Sequence, residues 1–234
     1  YLSRASEVSF DKATRNALAR TVGACRALLT EDARNQLQQV YGFQPDGTVL
    51  PMDRLSHLDD QGRETAAALR QWLGHLAAVE IGTEAKRRAA AFERMAHETA
   101  FTVLNRLAAL RMCEERGLVI ECVRRGMESD GFAMFERLTG GALGARGQAY
   151  RTFLEHLFDE LAVDLGPLFD HRAPHSLVFP GDQCLERVLA NLNERELAHL
   201  WKEDETIGWV YQYFNDPAER KKMREESAAP RNSR

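Results

Sequence analysis

Residues 83 to 116 read TEAKRRAAAFERMAHETAFTVLNRLAALRMCEER. Phe92, Met95, Thr99, Val103, Leu107 and Leu110 recur at helical spacing and form one stripe. Phe101, Leu104, Ala108 and Met112 fill a neighbouring face, so a helix built on this stretch is apolar around much of its girth. Such a helix must be covered by others on several sides. The stretch therefore predicts a mainly α, multi-helix, bundle-like domain around one central buried helix, with Gly117 as its left-handed C-cap.

Working toward the N-terminus, Leu18, Val22, Cys25 and Leu29 predict a first helix over roughly residues 11 to 29. Thr30 reads as an N-cap, with Glu31 and Asp32 where a helix's positive end favours anions, so a second helix should run from it to Gly42. FQPDGTVLPM, residues 43 to 52, carries a Pro-Asp-Gly turn and a second proline. It is the place for a strand, and at most one or two short strands are expected in the whole chain. Leu69, Leu73 and Leu76 mark a further helix over residues 60 to 79.

Toward the C-terminus, LVIECV (118 to 123) is compatible with a short strand or a helix entry, and GGALGARG (140 to 147) with a flexible connector. Tyr150, Phe153, Leu154, Leu157, Phe158 and Leu161 predict an amphipathic helix stopped by Gly166 and Pro167. Two short helices follow, one over 182 to 191 and one begun by Asn193 with Glu196 in a capping-box pattern. In DETIGWVYQYFND (204 to 216), Ile207, Val210, Tyr211 and Phe214 share a helical face, with Trp209 and Tyr213 on another. Asp216 and Pro217 then open a charged helix through KKMREES, leading into the linker-like SAAPRNSR. The domain is accordingly read as residues 1 to 216, with 217 to 234 a charged helix and linker. The opening Tyr1 and this closing linker suggest a piece of something longer.

The 234 residues are 44% hydrophobic and 28% charged, with net charge -4 and pI about 6.0, as in an ordinary globular domain. The balance does not advertise nucleic acid, so any DNA contact must come from local basic clusters. Cys25, Cys113, Cys122 and Cys184 lie far apart without a C-x-x-C pair, which argues against zinc and against a disulfide scaffold. Reduced thiols, no signal peptide and no long apolar run point to a cytoplasmic protein with no membrane partner.

Two chemistries can be tested on motifs. DNA amino-methylation needs a glycine-rich strand-to-helix loop for S-adenosylmethionine and an Asn/Asp-Pro-Pro-aromatic turn for the extruded base. Asp216-Pro217-Ala218-Glu219 supplies only the first two letters of that turn, and the glycines of 140 to 147 do not follow a strand. A metal-dependent nuclease needs an Asp and a Glu on one cation with a lysine beside the attacked phosphate, and Asp46, Glu84 and Lys86 spell those letters. Turn chemistry at Asp46-Gly47 and a favourable helix start at Glu84 explain the same residues without a metal. The seven histidines are scattered, and Pro174 interrupts the i, i+4 pair His171 and His175. No catalytic, cofactor-binding or metal-binding residue is assigned.

Lys86, Arg87, Arg88, Arg124, Arg125, Arg220, Lys221 and Lys222 are the candidate DNA-backbone contacts, although such runs commonly form plain solvated faces. Three stretches carry a further signal: HETAFTVLNRLAALRMCEERG (97 to 117), ETIGWVYQYFN (205 to 215) and RNALARTVGACRALLTEDARNQLQQVYGFQPDG (15 to 47). Together they resemble the N-terminal region of large adenine-specific DNA methyltransferases of the BREX (PglX-like) and DISARM phage-defence systems. Those proteins are similar to fused type IIG restriction-modification enzymes.

The resemblance implies an S-adenosylmethionine-dependent adenine-N6 methyltransferase domain after the linker, with this region non-catalytic and without a cofactor of its own. It implies a helical scaffold that contacts that domain, double-stranded DNA or other defence-system proteins. Within it, Ile207, Val210, Tyr211 and Phe214 are expected to anchor the aromatic helix, while Trp209 and Tyr213 face the catalytic domain. A stand-alone helical protein-interaction domain and a divergent nuclease are the alternatives.

Overall fold

The computed structural model describes residues 10 to 170 and 172 to 215. Within them are seven α-helices: α1 (Lys12–Gln39), α2 (Asp60–Val79), α3 (Glu84–Glu115), α4 (Asp130–Thr139), α5 (Arg146–Phe169), α6 (Asp182–Leu192) and α7 (Thr206–Phe214). Among these residues the only β pairing is an isolated antiparallel bridge between Phe43 and Val49, inside the turn where extended structure was expected. The chain is mainly α, and α3 is its central element.

Local chemistry sets several of the boundaries. Asp11 caps α1 by accepting from the Thr14 amide at 2.7 Å, and Asp59 caps α2 through Gly62 at 2.7 Å. Gly140, at φ 59°, closes α4 in the left-handed conformation. This ten-residue helix had no counterpart in the sequence reading, because its apolar spacing covers too few turns to stand out.

Four expectations change. The first two predicted helices are one: α1 runs unbroken through Thr30, which lies buried in its middle. Leu29, Ala33 and Leu37 keep one apolar stripe across that point, so packing carries the helix past a residue whose side chain suits a cap. Residues 118 to 123 are neither strand nor helix, and α5 continues past Gly166 and Pro167 to Phe169. Phe169 is fully buried, its ring 5.5 Å from that of Phe158, so its burial accompanies the extra turn. Asn193 starts no capping box: the segment after it forms short 3-10 turns at 195 to 197 and 200 to 202. Its side chain binds Arg111, Val123 and Leu189 instead. The predicted charged helix of 217 to 234 lies outside the described residues.

The long helices α1 and α3 pack antiparallel. Arg34 of α1 pairs with Glu93 of α3, while Arg26 and His97 both meet Phe214. One apolar cluster joins the first part of α1 and the latter part of α3 to α4, α5, α6 and α7. A second joins Ala33 and Leu37 of α1 to α2, the Phe43 turn and the first part of α3. No helix among the described residues is long and apolar enough to cross a membrane.

Candidate functional site

Residues 15 to 47, 97 to 117 and 205 to 215 fold onto one another, because α7 sits against α1 and α3. Val210 and Phe214 are fully buried, and the Phe214 ring meets His97 at 5.0 Å and Phe101 at 5.2 Å, both edge-on. Arg26 of α1 donates to the Phe214 carbonyl at 2.7 Å, satisfying one of the acceptors a helix leaves free at its C-terminus. Thr206 fixes the other end through a 2.5 Å bond from its hydroxyl to the Leu200 carbonyl.

The remaining docking candidates divide by position. Ile207 is half-buried against the larger core, whereas Tyr211 is 51% exposed with its ring edge against Phe101. Trp209 and Tyr213 stack at 5.5 Å and are half-buried. Phe10 and the Arg15 guanidinium lie against Trp209, the latter 5.9 Å from the ring centre. Part of the Trp209–Tyr213 face is therefore occupied from within.

Two guanidinium groups of the basic clusters, those of Arg88 and Arg125, are held by the domain's own chemistry. Arg125 pairs with Glu121 and Asp130, each at 2.5 Å, and those contacts keep its guanidinium even more firmly protonated than usual. Arg88 lies 3.8 Å from Glu84 and donates to the Gly47 carbonyl at 3.1 Å; Arg87 is half-buried. Lys86 and Arg124 are exposed. Arg220, Lys221 and Lys222 lie outside the described residues.

The nuclease letters have structural occupations. The Asp46 carboxylate accepts from the Thr48 hydroxyl at 2.7 Å and the Thr48 amide at 2.9 Å, which lowers its pKa, hydroxyl bond first. Gly47 adopts φ 78°, and a Cβ there would fall 2.4 Å from the Arg88 backbone, so the turn lies directly on the start of α3. That brings Asp46 to the helix of Glu84 and Lys86. Among the described residues, though, no group of three or more His, Cys, Asp or Glu side chains is placed to share a metal ion. The 140 to 147 connector follows α4 rather than a strand, so it lacks the strand-to-helix form of an S-adenosylmethionine loop.

Residues that the sequence reading passed over hold a polar network at the far end of α3. The Glu114 side chain is 5% exposed and accepts from three consecutive amides: Val123 at 2.8 Å, and Cys122 and Arg124 at 3.2 Å. Arg111 lies 3.9 Å from Glu114, reaches Glu115 at 2.7 Å, and donates through Nε to Asn193 at 3.0 Å. Tyr150 donates its hydroxyl to the Cys122 carbonyl at 2.7 Å, and burial pushes its own ionisation up. This network fixes an irregular loop without a sheet. Beside it, Arg124, Arg125, Arg146 and Glu186 line a groove of about 540 Å³ together with Leu185 and Leu189. Arg146 is pinned there by Glu128 at 2.6 Å and by the Met127 carbonyl at 2.9 Å. The only sequence signal for the network was the pair Glu114-Glu115 just ahead of a C-capping glycine.

The thiols are poor nucleophiles. Burial pushes both Cys25 and Cys184 up to about 12. The chain matches no family model, no curated protein and no solved structure.

Proposed function

We propose that this chain is the N-terminal helical scaffold of a cytoplasmic, S-adenosylmethionine-dependent DNA adenine-N6 methyltransferase of phage-defence or restriction-modification type, and that its own task is docking. The observation that carries the reading is the meeting of α1, α3 and α7 at Phe214. The three stretches that resemble the family are distant in sequence yet form one packed unit, as expected if they were kept together as a module.

Docking is favoured over phosphate binding because Arg88, Arg125 and Arg146 already have carboxylate partners. Each would have to exchange a carboxylate for a phosphate, which lowers the net gain of such a contact. Lys86 and Arg124, with Arg220, Lys221 and Lys222, are the cations proposed for any DNA-backbone contact. Tyr211 and the outer edges of Trp209 and Tyr213 are the proposed contact with the methyltransferase domain.

The test is transfer of labelled methyl groups from S-adenosylmethionine to adenine in duplex DNA by the full reading frame. Absence of N6-methyladenine would sink the family reading. With transfer established, Trp209→Ala/Tyr213→Ala should lower the rate in the full protein while leaving the fold of the helical region intact. A salt series of DNA binding, comparing Lys86→Glu/Arg124→Glu with the parent sequence, separates the roles: an unchanged salt slope supports docking.

A further inference from the structure

We infer that the domain contains a built-in conformational device: the lobe around α2 opens as a unit while the larger lobe stays folded. The apolar core is not continuous. One cluster takes α1 up to Leu29 and α3 from Ala100 onward; the other takes α1 from Ala33 and α3 up to Ala96. The break falls at the same level on both helices, since they run antiparallel with Arg34 beside Glu93 and with Arg26 and His97 sharing Phe214.

What stands in the break is polar and under-satisfied. Thr30 of α1 and Thr99 of α3 are buried, at 9% and 3% exposure, and neither hydroxyl has a hydrogen-bond partner. Both could have bonded the carbonyl one turn earlier in their own helices and do not. A buried hydroxyl without a partner costs free energy, and it interrupts the side-chain contacts that make two parts of a core melt together.

The α2 lobe is also the thinner of the two. It consists of α2, the end of α1, the Phe43 turn and the start of α3, with Leu177 and Val178 packed along its side. Its further ties to the larger lobe include polar and edge contacts: Trp72 meets His175 edge-on at 6.4 Å, Gln36 donates to the Phe179 carbonyl at 2.7 Å, and the Gly181 amide donates to Asp32 at 3.2 Å. Arg106 in turn holds the segment carrying His175 by donating to the Asp170 carbonyl at 2.9 Å and to Ser176 at 2.7 Å. Opening of α2 would bare Phe92 and Met95 on α3, now fully buried, so the event switches an apolar face between covered and exposed. Sub-global units of this kind open at lower free energy than the whole chain.

Tryptophans report on each lobe: Trp72 lies in the small core, and Trp201 is fully buried in the large one. In urea, Trp201→Phe/Trp209→Phe, which keeps Trp72, should lose its native fluorescence at a lower concentration than Trp72→Phe/Trp209→Phe, which keeps Trp201. Native-state hydrogen exchange of the unmodified chain gives the same comparison without substitutions. The α2 amides should be protected about tenfold less, or worse, than those in the middle of α6 and the second half of α3. Thr30→Val/Thr99→Val should bring the two transitions together by joining the cores. Coincident transitions with uniform protection would overturn the inference. An unchanged interval in Thr30→Val/Thr99→Val would overturn the role given to the seam.

Discussion

Glu114 is the buried acceptor on which the loop after α3 depends. Three amides of an irregular loop converge on its carboxylate, so deletion strands those donors, while buried Arg111 beside it keeps Glu115 and Asn193 as partners. Breaking a buried charged contact from one side costs more than its net worth, because the other partner stays behind desolvated. Glu114→Ala should therefore lower unfolding free energy by about 3 kcal/mol. Glu114→Gln, which keeps an acceptor but loses the charge, should cost about 1 to 2 kcal/mol, both read from urea denaturation. His175 gives a second prediction, through pH. Burial first, and the nearby Arg106 guanidinium second, lower its pKa below the ordinary imidazole value of 6.5. Above that value the ring is neutral in both states and no stability is lost. As pH falls below it, the unfolded chain takes up the proton first, so stability declines until the folded form is protonated too. Partial exposure of the ring keeps the loss modest, and His175→Gln should flatten the decline between pH 6.5 and the lower folded value, measured by thermal melts across pH.

At the level of elements, periodicity was legible and interruptions were not. The stripes of α2, α3, α5 and α6 could be read directly, because each covers at least three turns of apolar spacing. Thr30 shows where reading fails: Thr-Glu-Asp is good capping chemistry, yet Leu29, Ala33 and Leu37 bury a continuous face and override it. The two readings separate by substitution. Were Thr30 an N-cap, Glu31→Pro would fall on a position that accepts proline, and Thr30→Val would cost about 1 kcal/mol. In an unbroken α1, Glu31→Pro should cost about 3 kcal/mol or more, whereas Thr30→Val should raise stability by about 1 kcal/mol, both by urea midpoint. The loop after α3 was illegible for a different reason: its conformation is set by Glu114, Tyr150 and Asn193, contacts that pattern in one segment does not contain. The candidate site divides in the same way. Basic runs are visible in sequence, but the Glu121, Asp130 and Glu128 carboxylates that engage Arg125 and Arg146 become partners only once the chain is folded.

For the whole molecule, the question is whether α7 is an appendage or a part of the bundle. Its apolar face was readable, but the split between buried Val210 and Phe214 and exposed Tyr211 follows from where α1 and α3 leave room. Phe214 is the test residue, because its ring and carbonyl gather Arg26, His97 and Phe101 from two other helices. Truncation leaves a cavity that three elements must share, and none can move in without disturbing the other two. Phe214→Ala should therefore cost about 3 to 5 kcal/mol, against about 0.5 kcal/mol or less for Tyr211→Ala, whose ring is half in water. An appendage would give small values at both positions. The same pair bears on docking: a large loss at Phe214 alone makes α7 a rigid base, so Tyr211, Trp209 and Tyr213 are presented in fixed geometry and a partner spends little entropy in engaging them. On the docking role proposed above, stability of the isolated chain and the methyl transfer proposed for the full protein should respond to different residues of this one helix, Phe214→Ala lowering the first and Tyr211→Ala only the second.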